Sequence, residues 1–205
     1  MQEKFVSEKH VKFLLHEVFD AGSLCGYERY SQHNRKMFDM VLAEAMKMAK
    51  NLYYPIFTEM DRKGPEYENG TVKVHPQVRK IMTESGKGGW IGATFSKENG
   101  GDQLPWIVAG ACSYIFFAAN YSAGVYPELT RGAANLIAEF GDENLKKTWI
   151  PGMLQGRFQG TMALTEPEAG SSLADISTTA KPHGDGYYTI TGQKVFISGG
   201  DHDGV

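Results

Sequence analysis

Apolar positions at helical spacing dominate the first three quarters of the chain. In "SEKHVKFLLHEVFD", Val11, Leu14, Leu15 and Val18 recur three or four residues apart behind Ser7, whose hydroxyl suits the free N–H groups of a first helical turn. From Tyr30 onward, Phe38, Val41, Leu42, Ala45, Ala49 and Leu52 mark one face of a longer amphipathic helix. Pro55 should kink or break that helix, because its ring removes a main-chain donor. Pro76, Pro105 and Pro127 each stand where a helix can begin at no cost in hydrogen bonds, and Gly141 supplies a stop for the helix through "RGAANLIAEF".

After Gly156 the period shortens. "RFQGTMALTE", "ADISTTAKP", "GYYTITGQ" and "KVFISGG" are β-rich runs separated by Gly, Pro and Asp, with "GDG" at 184–186 as a turn signal. The expected fold is therefore α+β. An all-helical N-terminal domain over 1–156, with 1–30 as an extension helix, precedes the start of an antiparallel β domain over 157–205. Four candidate strands are few for a sheet with two faces to cover, so the β domain is expected to be truncated.

Composition narrows the function classes. The chain has 205 residues and a formal net charge of -3, which gives no basic field for a nucleic-acid backbone. Its two cysteines, Cys25 and Cys112, lack metal-ligand spacing and are expected to be free thiols. The first ten residues mix charges and hold no apolar core of a signal peptide, so a cytoplasmic protein is expected. "WIVAGACSYIFFAANYSAGVY", Trp106 to Tyr126, is uncharged and long enough to span a bilayer. Its Asn120, hydroxyls and small residues, without flanking Lys or Arg, favour a buried helix over a membrane span. Asp201-His202-Asp203 looks like a metal cluster on paper, but three consecutive residues converge poorly on one ion, and no metal is expected. "SKENGGDQL", 96–104, is the most flexible-looking loop, either a solvated connection or a functional one.

The stretch "GTMALTEPEAGSSL", Gly160 to Leu173, is unusual for a helix or a strand. A strand end reaches Leu164, Pro167 fixes a turn, and Gly170-Ser171-Ser172 follows with small side chains and accessible main-chain donors. Such a turn can hold an anion without any basic residue, or it can be an ordinary β connection. The residues alone leave both open.

Taken with "GYYTITGQKVFISGG", this stretch resembles the flavin-binding signature of the acyl-CoA dehydrogenases, a TEP-x-AGS turn followed by a hairpin and a G-x-K-x-[WF]-I-[ST] strand. "FGDENLKKTWIPGMLQGR" is similar to a helical segment of the same family. The resemblance extends over most of the chain from about Tyr30, and "FISGGDHD" with the long N-terminal lead looks most like the larger branch that includes methylthiopropionyl-CoA dehydrogenases.

The resemblance implies FAD as cofactor. Leu164 and Thr165 would contact the flavin pyrimidine edge, Gly170 and Ser171 the pyrophosphate, Phe196 the isoalloxazine face, and Ser198 the neighbourhood of N5. Ser172 stands where the family often has Asp. Glu166 and Glu168 belong to the turn and are not assigned to catalysis. The implied reaction is α,β-dehydrogenation of an acyl-CoA thioester, in which a carboxylate takes the α-proton and flavin N5 the β-hydride. The base would lie in a C-terminal helical domain, so this chain would be an inactive N-terminal fragment of a homo-oligomeric enzyme. Its electron acceptor would be an electron-transferring flavoprotein. A non-catalytic partner subunit or acyl-CoA-binding module, and an acyl-CoA oxidase-like flavoprotein, are the alternatives.

Overall fold

The computed structural model of the chain describes residues 5–202. Helix α1 (Glu8–Phe13) starts at Ser7, whose side chain accepts from the His10 N–H. The chain then widens into a π turn over Leu14–Val18, which slips the apolar register. Leu15 and His16 are consequently buried and Val18 is exposed, against the spacing.

Helix α2 (Arg35–Met48) is capped by Asn34 and buries Phe38, Leu42 and Ala45, with Ala49 continuing the same face. Pro55 does not end the helical path. A π turn over Ala49–Tyr53 and a 3-10 turn over Tyr54–Ile56 carry it into α3 (Phe57–Arg62), so the missing N–H is accommodated by a change of pitch.

Strands interrupt the helical part where the periodicity predicts none. β1 (Glu66–Glu68) and β2 (Thr71–Lys73) form an antiparallel hairpin with Tyr67 opposite Val72. Its two central residues, Asn69 and Gly70, both have positive φ (53° and 82°), the conformation that Asn-Gly supplies to a tight hairpin. Helix α4 (Gln77–Lys87) then begins directly after Pro76.

Residues 96–104 are more ordered than their composition suggests. Gly101 N–H donates to the Ser96 carbonyl, Leu104 N–H to the Ala93 carbonyl at 2.7 Å, and the buried His33 ring meets the carbonyls of Asp102 and Gln103.

Helix α5 (Trp106–Phe140) begins after Pro105 as expected and ends at Gly141. It is two helices joined at Asn120, whose backbone is extended (φ −167°, ψ 98°). The halves fold back on each other: Ser113 donates to Glu128 at 2.7 Å, and the Arg131 guanidinium lies 5.4 Å from the Trp106 ring centre. Pro127 therefore lies inside the second half and starts nothing. The restart is set by Asn120, whose side-chain oxygen accepts from the Ala123 N–H. Among the described residues α5 alone is long and apolar enough to cross a membrane, but its turn at Asn120 divides it and half of its most apolar window is buried in the protein's own core.

Helix α6 (Glu143–Leu154), capped by Asp142, packs on α5. One apolar core joins α1, α2, α4 and α5 around Phe38, Leu42, Ile81 and Ile115, and a second joins α4, α5 and α6 around Met82, Ala134 and Met153.

After Leu154 the structure contains strands, giving the α+β class. Only two of the four β-rich runs form a ladder: β3 (Thr179–Pro182) pairs antiparallel with β4 (Tyr188–Thr191) across the 184–186 turn. Every position of both strands is exposed, Tyr188 and Ile190 included. "RFQGTMALTE" and "KVFISGG" form no strand among the described residues.

Candidate flavin site

Thr165 and Val195 bring the two motif segments together. The Val195 N–H donates to the Thr165 carbonyl at 2.9 Å, and four residues upstream the Thr161 hydroxyl donates to the Ser198 carbonyl. Leu164, Thr165, Phe196 and Ser198 consequently lie on two neighbouring segments. Both segments rest on the second half of α5. Gly160 N–H donates to the Thr130 hydroxyl at 3.2 Å, and the His202 ring meets the Tyr126 ring edge-on at 5.3 Å.

Between the segments sits Glu166, only 4% exposed. One carboxylate oxygen accepts from the Ser177 N–H and hydroxyl, both at 2.7 Å, and the other from the Thr178 N–H at 2.9 Å and Lys194 Nζ at 2.8 Å. The Lys194 ammonium, with Thr178 and Ser177, holds this carboxyl well below the usual carboxylate range. Glu166 is thus an ionised tie between the TEP turn, the start of the β3 region and the G-x-K segment. A carboxylate so engaged is a poor proton acceptor at neutral pH.

The spacing of G-x-K-x-F has a steric and electrostatic cause. Gly192 lies so close to Thr178 that a Cβ would fall 2.7 Å from the Thr178 Cβ, so only glycine admits the approach. Two residues on, Lys194 reaches Glu166 and also donates to the Leu164 carbonyl at 3.0 Å. Two further on, Phe196 is 91% exposed in a left-handed backbone (φ 58°), with its ring turned to solvent. Lys194 carries no role in the motif reading, and its signal is the fixed offset from Gly192.

The turn holds its donors outward. Glu166 and Ala169 exchange main-chain bonds, closing it around Pro167. Among the described residues, the N–H groups of Gly170 and Ser171 and the hydroxyls of Thr165 and Ser171 have no protein acceptor. A Cβ built at Gly170 would meet nothing within 4 Å, so open space faces this main chain. Open donors and an exposed aromatic ring fit a large planar ligand with an anionic linker.

Two residues of the metal-like trio are otherwise engaged. Asp201 accepts from the Val72 N–H at 3.1 Å and His202 packs on Tyr126, while Asp203 lies outside the described residues.

A family profile described as "Acyl-CoA dehydrogenase, N-terminal domain" matches residues 37–157. The chain belongs to the acyl-CoA dehydrogenase family. Among curated relatives, it is 35% identical over 162 residues to 3-methylmercaptopropionyl-CoA dehydrogenase of Ruegeria pomeroyi, covering 79% of this chain and 28% of the relative. It is 29% identical over 199 residues to a butyryl-CoA dehydrogenase of Syntrophomonas wolfei, covering 95% of this chain and 33% of the relative. Among solved structures, butyryl-CoA dehydrogenase from Megasphaera elsdenii superposes with a TM-score of 0.64 at 26% identity, over 78% of this chain and 40% of that one. The resemblance to the branch containing methylthiopropionyl-type dehydrogenases agrees with the first of these. The chain spans about a third of the length of the curated relatives it matches.

Proposed function

We propose that this chain supplies the front of the flavin and acyl-thioester site of an FAD-dependent acyl-CoA dehydrogenase, with 1–156 as its helical domain and 157–205 as the beginning of its β domain. The observation that carries this is the pairing of Thr165 with Val195, which sets the TEP-x-AGS turn beside the Phe196 segment, where Phe196 is exposed and Gly170 faces open space. FAD, when bound, supplies the acceptor for the β-hydride.

The residues of this chain bind and orient. Leu164 main chain and Thr165 main chain and hydroxyl offer bonds to the pyrimidine edge, where negative charge collects on reduction. Gly170 N–H and Ser171 N–H and hydroxyl hold the pyrophosphate. The Phe196 ring covers a face of the isoalloxazine and excludes water, and the Ser198 hydroxyl orients the region of N5. Glu166 is fully engaged and is not assigned as the base; the family resemblance puts the carboxylate that removes the α-proton in a C-terminal helical domain.

The working enzyme is a cytoplasmic homo-oligomer that takes acyl-CoA and passes electrons to an electron-transferring flavoprotein. The test is to load the protein with FAD and add acyl-CoA thioesters of graded length without oxygen. Loss of the oxidised-flavin absorbance with enoyl-CoA formation is expected of the whole enzyme that supplies the base as well as this chain, and no reduction of that enzyme by any thioester would overturn the reading. Rapid reoxidation in air with peroxide release would identify an oxidase instead.

A further inference from the structure

Glu166 receives three of its four bonds from the 177–178 segment, so closing that loop does not require a cation. Lys194 adds two things those bonds do not: a bond to the Leu164 carbonyl and a positive charge beside the carboxylate. It is the one cation paired with Glu166 among the described residues, and both groups lie outside the two apolar cores. Leu164 and Thr165 are the residues that the proposed function turns toward the flavin pyrimidine.

We propose that Lys194 is a positioning residue that fixes the Leu164–Thr165 main chain and, with Glu166, forms a neutral ion pair at the flavin-facing turn. This rests on the flavin reading above. Reduction places negative charge at the pyrimidine edge, so an unbalanced carboxylate nearby opposes it and an unbalanced ammonium favours it. In a poorly screened site such a charge acts over several ångströms.

The test is the two-electron midpoint potential of bound FAD in Lys194→Met, Glu166→Gln, the double variant and Lys194→Arg. Lys194→Met should lower the potential and Glu166→Gln raise it, each by roughly tenfold in the reduction equilibrium, about 30 mV. The neutral double variant should return towards the parent value, and Lys194→Arg should stay near it. A merely structural role gives no such pattern, so shifts of one sign, or none, would overturn the proposal. Amide exchange gives a readout independent of flavin, since Lys194→Met should speed exchange of the Val195 N–H while leaving α2 unchanged. If the protein binds no FAD, the flavin reading fails, and unchanged Val195 exchange would overturn the positioning role separately.

Discussion

The side-chain amide of Asn120 donates to the main-chain carbonyl of Tyr53 at 3.2 Å. Its oxygen caps the second half of α5 at Ala123, so one buried residue both turns the helix and ties the turn to the end of the α2 path. Asn120→Ala removes the cap and leaves the Tyr53 carbonyl without this donor. The expected loss is about 2 to 4 kcal/mol, a cap plus a buried unsatisfied acceptor. Urea unfolding checks it, and a loss of a few tenths would show that the turn is held by packing alone.

Gly86 packs α4 against the end of α6 with no space for a side chain. A Cβ there would lie 2.1 Å from the Gln155 carbonyl, a main-chain group that cannot swing aside. Gly86→Ala should therefore force the helices apart and cost about 2 to 3 kcal/mol, an overpacking loss. The second core should report it: the midpoint of thermal unfolding falls, whereas Gly132→Ala, which meets nothing within 4 Å, leaves it unchanged or raises it.

These two positions show what was legible in the chain and what was not. The buried face Phe38, Leu42, Ala45 and Ala49 follows from its period, because one apolar stripe has one way to meet a core. Pro127 misleads as a helix start, because the chain reverses seven residues earlier at a residue whose cap and tertiary bond act together. The β1–β2 hairpin is hidden by strands of three residues with little apolar alternation, although Asn69-Gly70 signals its turn. At the site, motif order and spacing place Thr165 and Phe196 on neighbouring segments. They do not reveal Glu166 bound to Lys194, since that contact links residues 28 apart through a buried charge.

Thr165→Val separates the hydroxyl from the main chain. The Thr165 carbonyl already pairs with Val195, and its hydroxyl has no protein partner among the described residues, so folding should be unaffected within about 0.5 kcal/mol. The hydroxyl's proposed partner is the flavin. Loss of that bond should weaken FAD affinity or slow its reduction by roughly fivefold to tenfold, the size of a single hydrogen bond. Equilibrium titration and single-turnover reduction measure the two effects, and wild-type values for both would remove Thr165 from the site.

Glu166 gives the pH prediction. Its folded carboxyl is held below its ordinary value of 4.5, chiefly by Lys194, so the folded state binds its proton less readily than the unfolded chain does. Its stabilising contribution is therefore complete at neutral pH. It begins to fall as pH drops through the ordinary carboxylate range, where the unfolded chain takes up the proton, and is lost only when pH falls through the lower folded value. Glu166→Gln removes this one titration. The stability gap between the parent and Glu166→Gln should be constant from pH 8 to about 6 and shrink below about 5. Denaturant unfolding across that range checks it, and a gap that widened on acidification would mean that the carboxylate is not the ionised partner of Lys194.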